Sequence, residues 1–201
     1  MPGAAFLQGD QVTLRTIEEA DLPFLRDTVN HPDVRRGTGF LTPVNAAQEQ
    51  EWFESGASGD DSVDLLICVD GEPADDEVGG GDGSAERADT DPSDAVPVGS
   101  IGIHPVSSPH GEGELGVFLA PAHWGRGYAT DAARALTDYA FDELGKHRVV
   151  ARVFDYNEAS KRVWEKLGFR HEATFVEAAF RDGEYVDTHL YAVLEQEWRD
   201  S

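Results

Sequence analysis

The residues best suited to chemistry in this chain stand together at Trp124-Gly125-Arg126-Gly127-Tyr128-Ala129-Thr130. They follow a stretch of strand character and open the longest helical pattern. Glycines at such a turn let a backbone approach a ligand closely. The first N–H groups of a helix have no partner within it, so they point outward as an anion site sized for a phosphate or pyrophosphate. Arg126 can add a charge-assisted contact. A tight strand-to-helix turn with no ligand explains the same spacing, and spacing alone leaves both readings open. Elsewhere the candidates are sparse. His31, His104, His110, His123, His147, His171 and His189 show no metal-ligand spacing, so no metal is expected. Cys68 is the only cysteine, which excludes an intrachain disulfide and argues against a cysteine-based zinc site. It sits in an apolar run and reads as inert core.

Several elements must position that turn. Gln11 to Thr16 alternates Val12 and Leu14 with polar neighbours, as a half-buried strand does. Glu18 to Val29 reads as a helix, with Pro23 near its start where proline is tolerated. Ala46 to Glu54 reads as a second helix, and Val63 to Val69 as a buried strand. Residues 72–97 break the pattern with nine acids, one arginine, a triple glycine and three prolines. Such a segment cannot bury enough apolar surface to offset its ordering, so it is expected to be a disordered acidic insertion joining two strands of one hairpin. Val98 to Ile103 resumes strand character and Glu114 to Leu119 continues it. Tyr128 to Leu144 is a helix with Ala129, Ala132, Ala133, Leu136, Ala140 and Leu144 on one face, closed by Gly145. His147 to Val153 is a strand and Glu158 to Leu167 a short helix. Phe169 to Ala179 and Val186 to Leu194 are two strands around Arg181-Asp182-Gly183. The order implies an α/β fold, a mixed sheet with helices on its faces. Trp52, Phe53, Phe175 and Phe180 fit either an acceptor groove or core packing, with packing the safer reading.

Composition removes some classes of function. The chain has 201 residues, enough for one domain with its own core. It carries 39 acidic against 16 basic residues, a formal charge of −23. That surface repels nucleic acid and anionic membranes, so neither is an expected partner. The acids are spread along the chain, as in a solvated coat suited to high salt of the halophile kind. No run of eighteen apolar residues occurs, and residues 1–7 lack a basic lead and an apolar stretch. A cytoplasmic location is the default expectation.

These motifs in this order resemble the GNAT acetyltransferases, and among them the RimJ/RimL-like branch that acetylates N-termini of ribosomal proteins. The family's phosphate loop, Gln/Arg-x-x-Gly-x-Gly/Ala, falls on Trp124, Gly127 and Ala129, with Trp124 departing from the general pattern. A second signature, Asn-x-x-Ser/Ala with a later Leu-Gly-Phe, falls on Asn157, Ser160 and Leu167-Gly168-Phe169. Leu14-Arg15 with Glu19-Ala20-Asp21-Leu22, and Leu194-Glu195-Gln196-Glu197-Trp198, also match this branch. The resemblance spans roughly residues 10–198. It implies a single GNAT domain with an about seven-stranded, mostly antiparallel sheet and about four helices.

The resemblance also implies a chemistry. Acetyl-CoA would be the cosubstrate, its pantetheine arm lying between Glu114 to Leu119 and His147 to Val153 where those strands splay. Backbone groups of Phe118 and Leu119 would pair with the arm, and an N–H near Phe118 would stabilise the oxyanion. Trp124, Gly125, Arg126, Gly127, Tyr128, Ala129 and Thr130 would hold the pyrophosphate. Asn157 would contact the pantetheine, or else serve only as a helix cap. An amine would attack the thioester directly, without a covalent enzyme intermediate. An α-amine with a pKa of about 8 is roughly a tenth neutral at pH 7, so an N-terminal acceptor asks little of a base. Glu114 is the candidate base, with a solvated strand-end role as the alternative and Glu112 as fallback. The position where many relatives carry an acidic tyrosine holds Trp164, so Ser160 is the candidate donor to the leaving thiolate. A protein N-terminal amine is therefore the expected acceptor, with a small cationic amine, or no acceptor at all in a CoA-sensing or partner-binding module, as the alternatives. Homodimers are frequent in this branch, so a dimer is expected from resemblance. Because CoA and the chain are both strongly anionic, acetyl-CoA affinity measured by calorimetry should rise as KCl is added.

Overall fold

A computed structural model of the chain describes residues 2–56, 62–71, 95–106 and 111–200. Its elements in order are β1 (Ala5–Gln8), β2 (Thr13–Thr16), α1 (Leu22–Asn30), α2 (Pro32–Gly37), α3 (Ala46–Gly56), β3 (Val63–Asp70), β4 (Ala95–Pro105) and β5 (Glu112–Leu119). They continue with α4 (Tyr128–Asp142), β6 (Arg148–Phe154), α5 (Glu158–Lys166), β7 (Arg170–Arg181), β8 (Glu184–Leu194) and α6 (Glu195–Arg199). The strands form one eight-stranded sheet in the order β1-β2-β3-β4-β5-β6-β8-β7. Among the described residues only β5 and β6 pair in parallel, joined by the crossover helix α4 that a parallel pair requires.

Alternation along the strands sorts the side chains onto two faces. On one face Leu65, Ile67, Ile101, Ile103, Leu115 and Leu119 form the main core with Val149, Ala151 and Val153. Ala132, Ala133, Leu136 and Ala140 of α4 and Trp164 of α5 pack onto it. The alanine stripe brings α4 close to the sheet, and Leu136 is fully buried, worth about 1.5–3 kcal/mol of apolar transfer. On the other face Leu66 and Cys68 meet Ile17, Leu22 and Leu25, with Trp52, Phe53 and Phe118 packed around them. Burial pushes the Cys68 thiol up to about 12, the cost of placing a thiolate among apolar groups. A disulfide-exchange reagent at pH 8 should therefore leave Cys68 untouched in the native protein and react on unfolding.

The structure corrects the sequence expectations in several places. The described residues contain eight strands rather than about seven, because β1 adds an edge strand to β2. The described residues contain six helices rather than about four, since α2 and α6 were not foreseen. The first helix begins at Leu22, after a tighter turn over Glu19–Asp21 in which Glu18 and Asp21 cap one another. The β3 and β4 strands pair antiparallel, as a hairpin requires. Of the expected insertion at 72–97, residues 72–94 lie outside the described residues, and residues 95–97 already belong to β4. Phe175 and Phe180 are not core residues: they are 45% and 54% exposed on β7. Among the described residues no helix is long and apolar enough to cross a membrane.

Candidate active site

The site begins with two strands that part. β5 is paired along its length with β4, from Gly99↔Leu119 to Pro105↔Gly113. With β6 it pairs only at Glu112↔Arg148, Gly113↔Val149 and Glu114↔Val150. β6 instead stays with β8 as far as Phe154↔Thr188. Beyond Glu114 one edge of β5 therefore faces a gap rather than a strand. Unpaired backbone groups along such an edge are a template for an extended ligand. Arg152 of β6 and Glu114 of β5 reach across the apex in an ion pair of 2.9 Å.

A cavity of about 500 Å3 opens at the gap. Ser160 and Trp164 of α5, with Leu115 and Val117, line it from the α4/α5 side of the sheet. His104, Glu114, Phe118 and Phe40 line it from the other side. Residues from both faces share one cavity, so it passes through the sheet where the strands diverge.

The glycine turn lies at the end of β5. Trp124 donates its indole N–H to the Leu119 carbonyl at 2.9 Å, tying the turn back to the strand. This is the role of the tryptophan that departs from the family pattern. Gly125 and Gly127 have φ of +77° and +91°, a region L-residues avoid. At Gly125 a Cβ would meet nothing within 4 Å, so backbone conformation rather than space calls for glycine there. Gly127 is the N-cap of α4 and has no side chain to cap with, so Tyr128, Ala129 and Thr130 open the helix with their N–H groups at its positive end. Asp131, in the same first turn and 7% exposed, accepts N–H bonds from Asp10, Gln11 and Val12 at 2.9, 2.7 and 3.0 Å. Those bonds fix the β1–β2 turn beside the glycines. Arg126 is exposed at the rim of the turn.

The start of α5 forms the opposite wall. Asn157 accepts the Ser160 N–H at 3.1 Å, so the capping reading is realised, and it also donates to the Gly37 carbonyl at 3.2 Å, bolting α5 to the end of α2. Ser160 Oγ accepts from the Trp164 indole at 3.2 Å. An indole N–H only donates, so the serine hydroxyl keeps its own hydrogen for another acceptor. Trp164 is 2% exposed and tilted against Phe169, so it orients Ser160 rather than meeting solvent. Leu119 is buried, which leaves its backbone but not its side chain for a ligand. Phe118 meets Phe40 edge-on at 6.4 Å. Glu112 is held by Arg148 at 3.1 Å at the closed end of the strand pair, away from the cavity lining.

Sequence reasoning missed Asp64, His104, Arg152 and Phe40. Asp64 and His104 sit on neighbouring strands and meet at 3.3 Å in the cavity wall. The Asp64 hydrogen bond raises the His104 pKa above its usual 6.5; partial burial opposes this, and the charges of Asp64 and Glu114 add to it. Nothing in the local sequence marks this pair, because strand register alone brings it together. Among the described residues no group of three or more His, Cys, Asp or Glu is placed to hold a metal ion.

The chain matches the model of the acetyltransferase (GNAT) domain over residues 11–170. It is similar to a putative ribosomal N-acetyltransferase, YdaF of Bacillus subtilis, 33% identical over 100 residues that cover 50% of this chain and 55% of that protein. It spans about half the length of the first curated relatives it matches. A spermidine N(1)-acetyltransferase of Vibrio cholerae is 23% identical over 188 residues, 94% of this chain and 95% of that protein. The crystal structure of a Vibrio cholerae spermidine N-acetyltransferase in complex with CoA and spermine has the same fold, with a TM-score of 0.76 at 20% identity over 94% of this chain and 98% of that one.

Proposed function

The chain belongs to the GNAT acetyltransferase family, and from that premise we propose that it transfers the acetyl group of acetyl-CoA to a primary amine. The cavity that crosses the sheet at the parted strands carries this reading. The pyrophosphate rests on the N–H groups of the glycine turn from Trp124 to Thr130. The pantetheine arm runs along the open edge of β5, where Val117 and Leu119 offer backbone groups; those of Phe118, opposite Ser100, turn toward β4. The thioester then lies near Ser160, and its carbonyl takes an N–H from the gap-facing residues beside Phe118, Val117 or Leu119.

The amine lone pair attacks the thioester carbon, the carbonyl becomes an oxyanion, and its collapse breaks the C–S bond. Ser160, freed to donate by the Trp164 bond, gives its proton to the departing sulfur and recovers one from water. A thiol of pKa about 8.5 leaves tolerably well unaided, so this help is modest. Ser160→Ala should lower kcat about 10-fold and change the KM for acetyl-CoA less than about 2-fold in steady-state kinetics.

We place a small cationic amine ahead of the protein N-terminus that the sequence favoured. The cavity holds two carboxylates, Asp64 and Glu114, against one permanent cation, Arg152. The relative aligned over nearly its whole length acetylates spermidine, as its name states. The N-terminal amine stays as a second reading, supported by the likeness to a putative ribosomal acetyltransferase. Spermidine, spermine, other small amines and N-terminal peptides should be offered with acetyl-CoA in concentrated KCl and the products weighed by mass spectrometry. Acetylated small amines support the small-amine reading. Acetylated peptides alone put the N-terminus first, and no product with no acetyl-CoA binding overturns the enzyme.

A further inference from the structure

We infer that His104, held by Asp64, is the general base of this site, taking the proton from the acceptor ammonium. The inference rests on the acetyl-transfer reading and names a residue that the motifs do not.

Three adjacent strands bring the group together. Asp64 of β3 stands opposite Gly102 of β4, and His104 of β4 stands opposite Glu114 of β5. All four line the cavity on the face away from Ser160. An acceptor entering from that face meets His104 before it reaches the thioester.

The pair is a built feature. Asp64 has only 12% of its side chain exposed, and its Oδ1 lies 3.3 Å from His104 Nε2. A carboxylate only accepts, so Nε2 carries the hydrogen and Nδ1 carries the lone pair. Gly102 makes the contact possible. A Cβ there would collide with the Asp64 carboxylate and come within 3.0 Å of His104 Nε2. Its φ lies outside the left-handed region, so the glycine serves space rather than backbone freedom.

The neighbouring groups divide the work. Glu114 is engaged by Arg152 at 2.9 Å, which leaves it as a fixed negative charge facing the imidazole. That charge and Asp64 both stabilise the imidazolium that forms. The raised pKa makes His104 a stronger base than a free imidazole.

The protons balance. The ammonium gives one proton to Nδ1 of His104, and the freed lone pair forms the C–N bond. The tetrahedral adduct loses a second proton as the C–S bond breaks, and the sulfur leaves as a thiol after receiving one. His104, with 51% of its side chain exposed, returns its proton to solvent. The sum is amide, thiol and one released proton.

The test is the pH profile of kcat/KM for the full chain, with spermidine, or the panel amine that turns over fastest, as acceptor. His104→Gln should bind acetyl-CoA within about 2-fold of wild type by calorimetry, which shows that it is folded. It should lose about 100-fold in kcat/KM together with the limb that rises with pH. Asp64→Asn and Gly102→Ala should keep that limb and move it to lower pH, a shift that an inflection belonging to the amine cannot show. A His104→Gln enzyme within about 3-fold of an active wild type, with the limb in place, overturns the assignment. So does a limb that disappears in Glu114→Gln and not in His104→Gln. A wild type that turns over no amine removes the acetyl-transfer reading itself, and this role with it.

Discussion

Gly127→Glu is expected to weaken acetyl-CoA binding at least about 100-fold, or about 2.7 kcal/mol, in calorimetry carried out in concentrated KCl. Gly127 has φ +91°, where an L-residue costs about 1–2 kcal/mol. Its Cβ would sit 3.2 Å from Gln11 Nε2, the edge of the turn that Asp131 holds in place. The new carboxylate would also stand at the positive end of α4, where the pyrophosphate is proposed to rest. Backbone strain alone is controlled by Gly183→Ala in the β7–β8 turn, a position with the same φ of +91° and no part in the site. That variant should lose similar stability and bind acetyl-CoA as wild type does. Wild-type affinity in Gly127→Glu would remove the phosphate from this turn.

Asp131→Ala should cost about 3–5 kcal/mol of unfolding free energy, read as a lower urea midpoint with an unchanged slope. The Asp131 carboxylate collects three backbone N–H groups from Asp10, Gln11 and Val12. Alanine leaves them without an acceptor, and the Val12 N–H is in a buried bond. Each unsatisfied buried donor costs about 1–3 kcal/mol, and water can reach the outer two. Asp131→Asn keeps one acceptor oxygen but turns an NH2 toward donors, so it should fall between. A loss below about 0.5 kcal/mol in the alanine variant would mean that the β1–β2 turn is held by other contacts.

Long, strongly patterned elements were legible in the sequence. The apolar run of β3 and the alanine stripe of α4 gave their type and nearly their bounds. Short elements were not. The four residues of β1 are mostly exposed and show no alternation, and they become a strand because β2 offers them an edge. In α2 a proline opens the helix after a His31 cap, a signal too brief to outweigh the polar run around it. The glycine turn is legible as a tight strand-to-helix turn, since positive φ leaves a mark in residue type. Side-chain partnerships left none. Asn157 is legible as a cap beside its expected pantetheine contact, and it does cap α5, but its bond to Gly37 joins segments far apart in the chain. His104 read as one of seven scattered histidines until strand register set it against Asp64. Phe180 read as core from its type alone, yet it stands on the outermost strand of the sheet, with part of its ring against Tyr185.

The parting of β5 from β6 also bears on the order of events in turnover. A cavity lined from both faces of the sheet would give the proposed thioester and amine separate doors, one past α5, the other past His104 and Phe40. Neither ligand then has to leave for the other to enter. Initial-rate lines taken at several fixed concentrations of one substrate should intersect rather than run parallel, and a competitive inhibitor of either should still bind when the other is already seated.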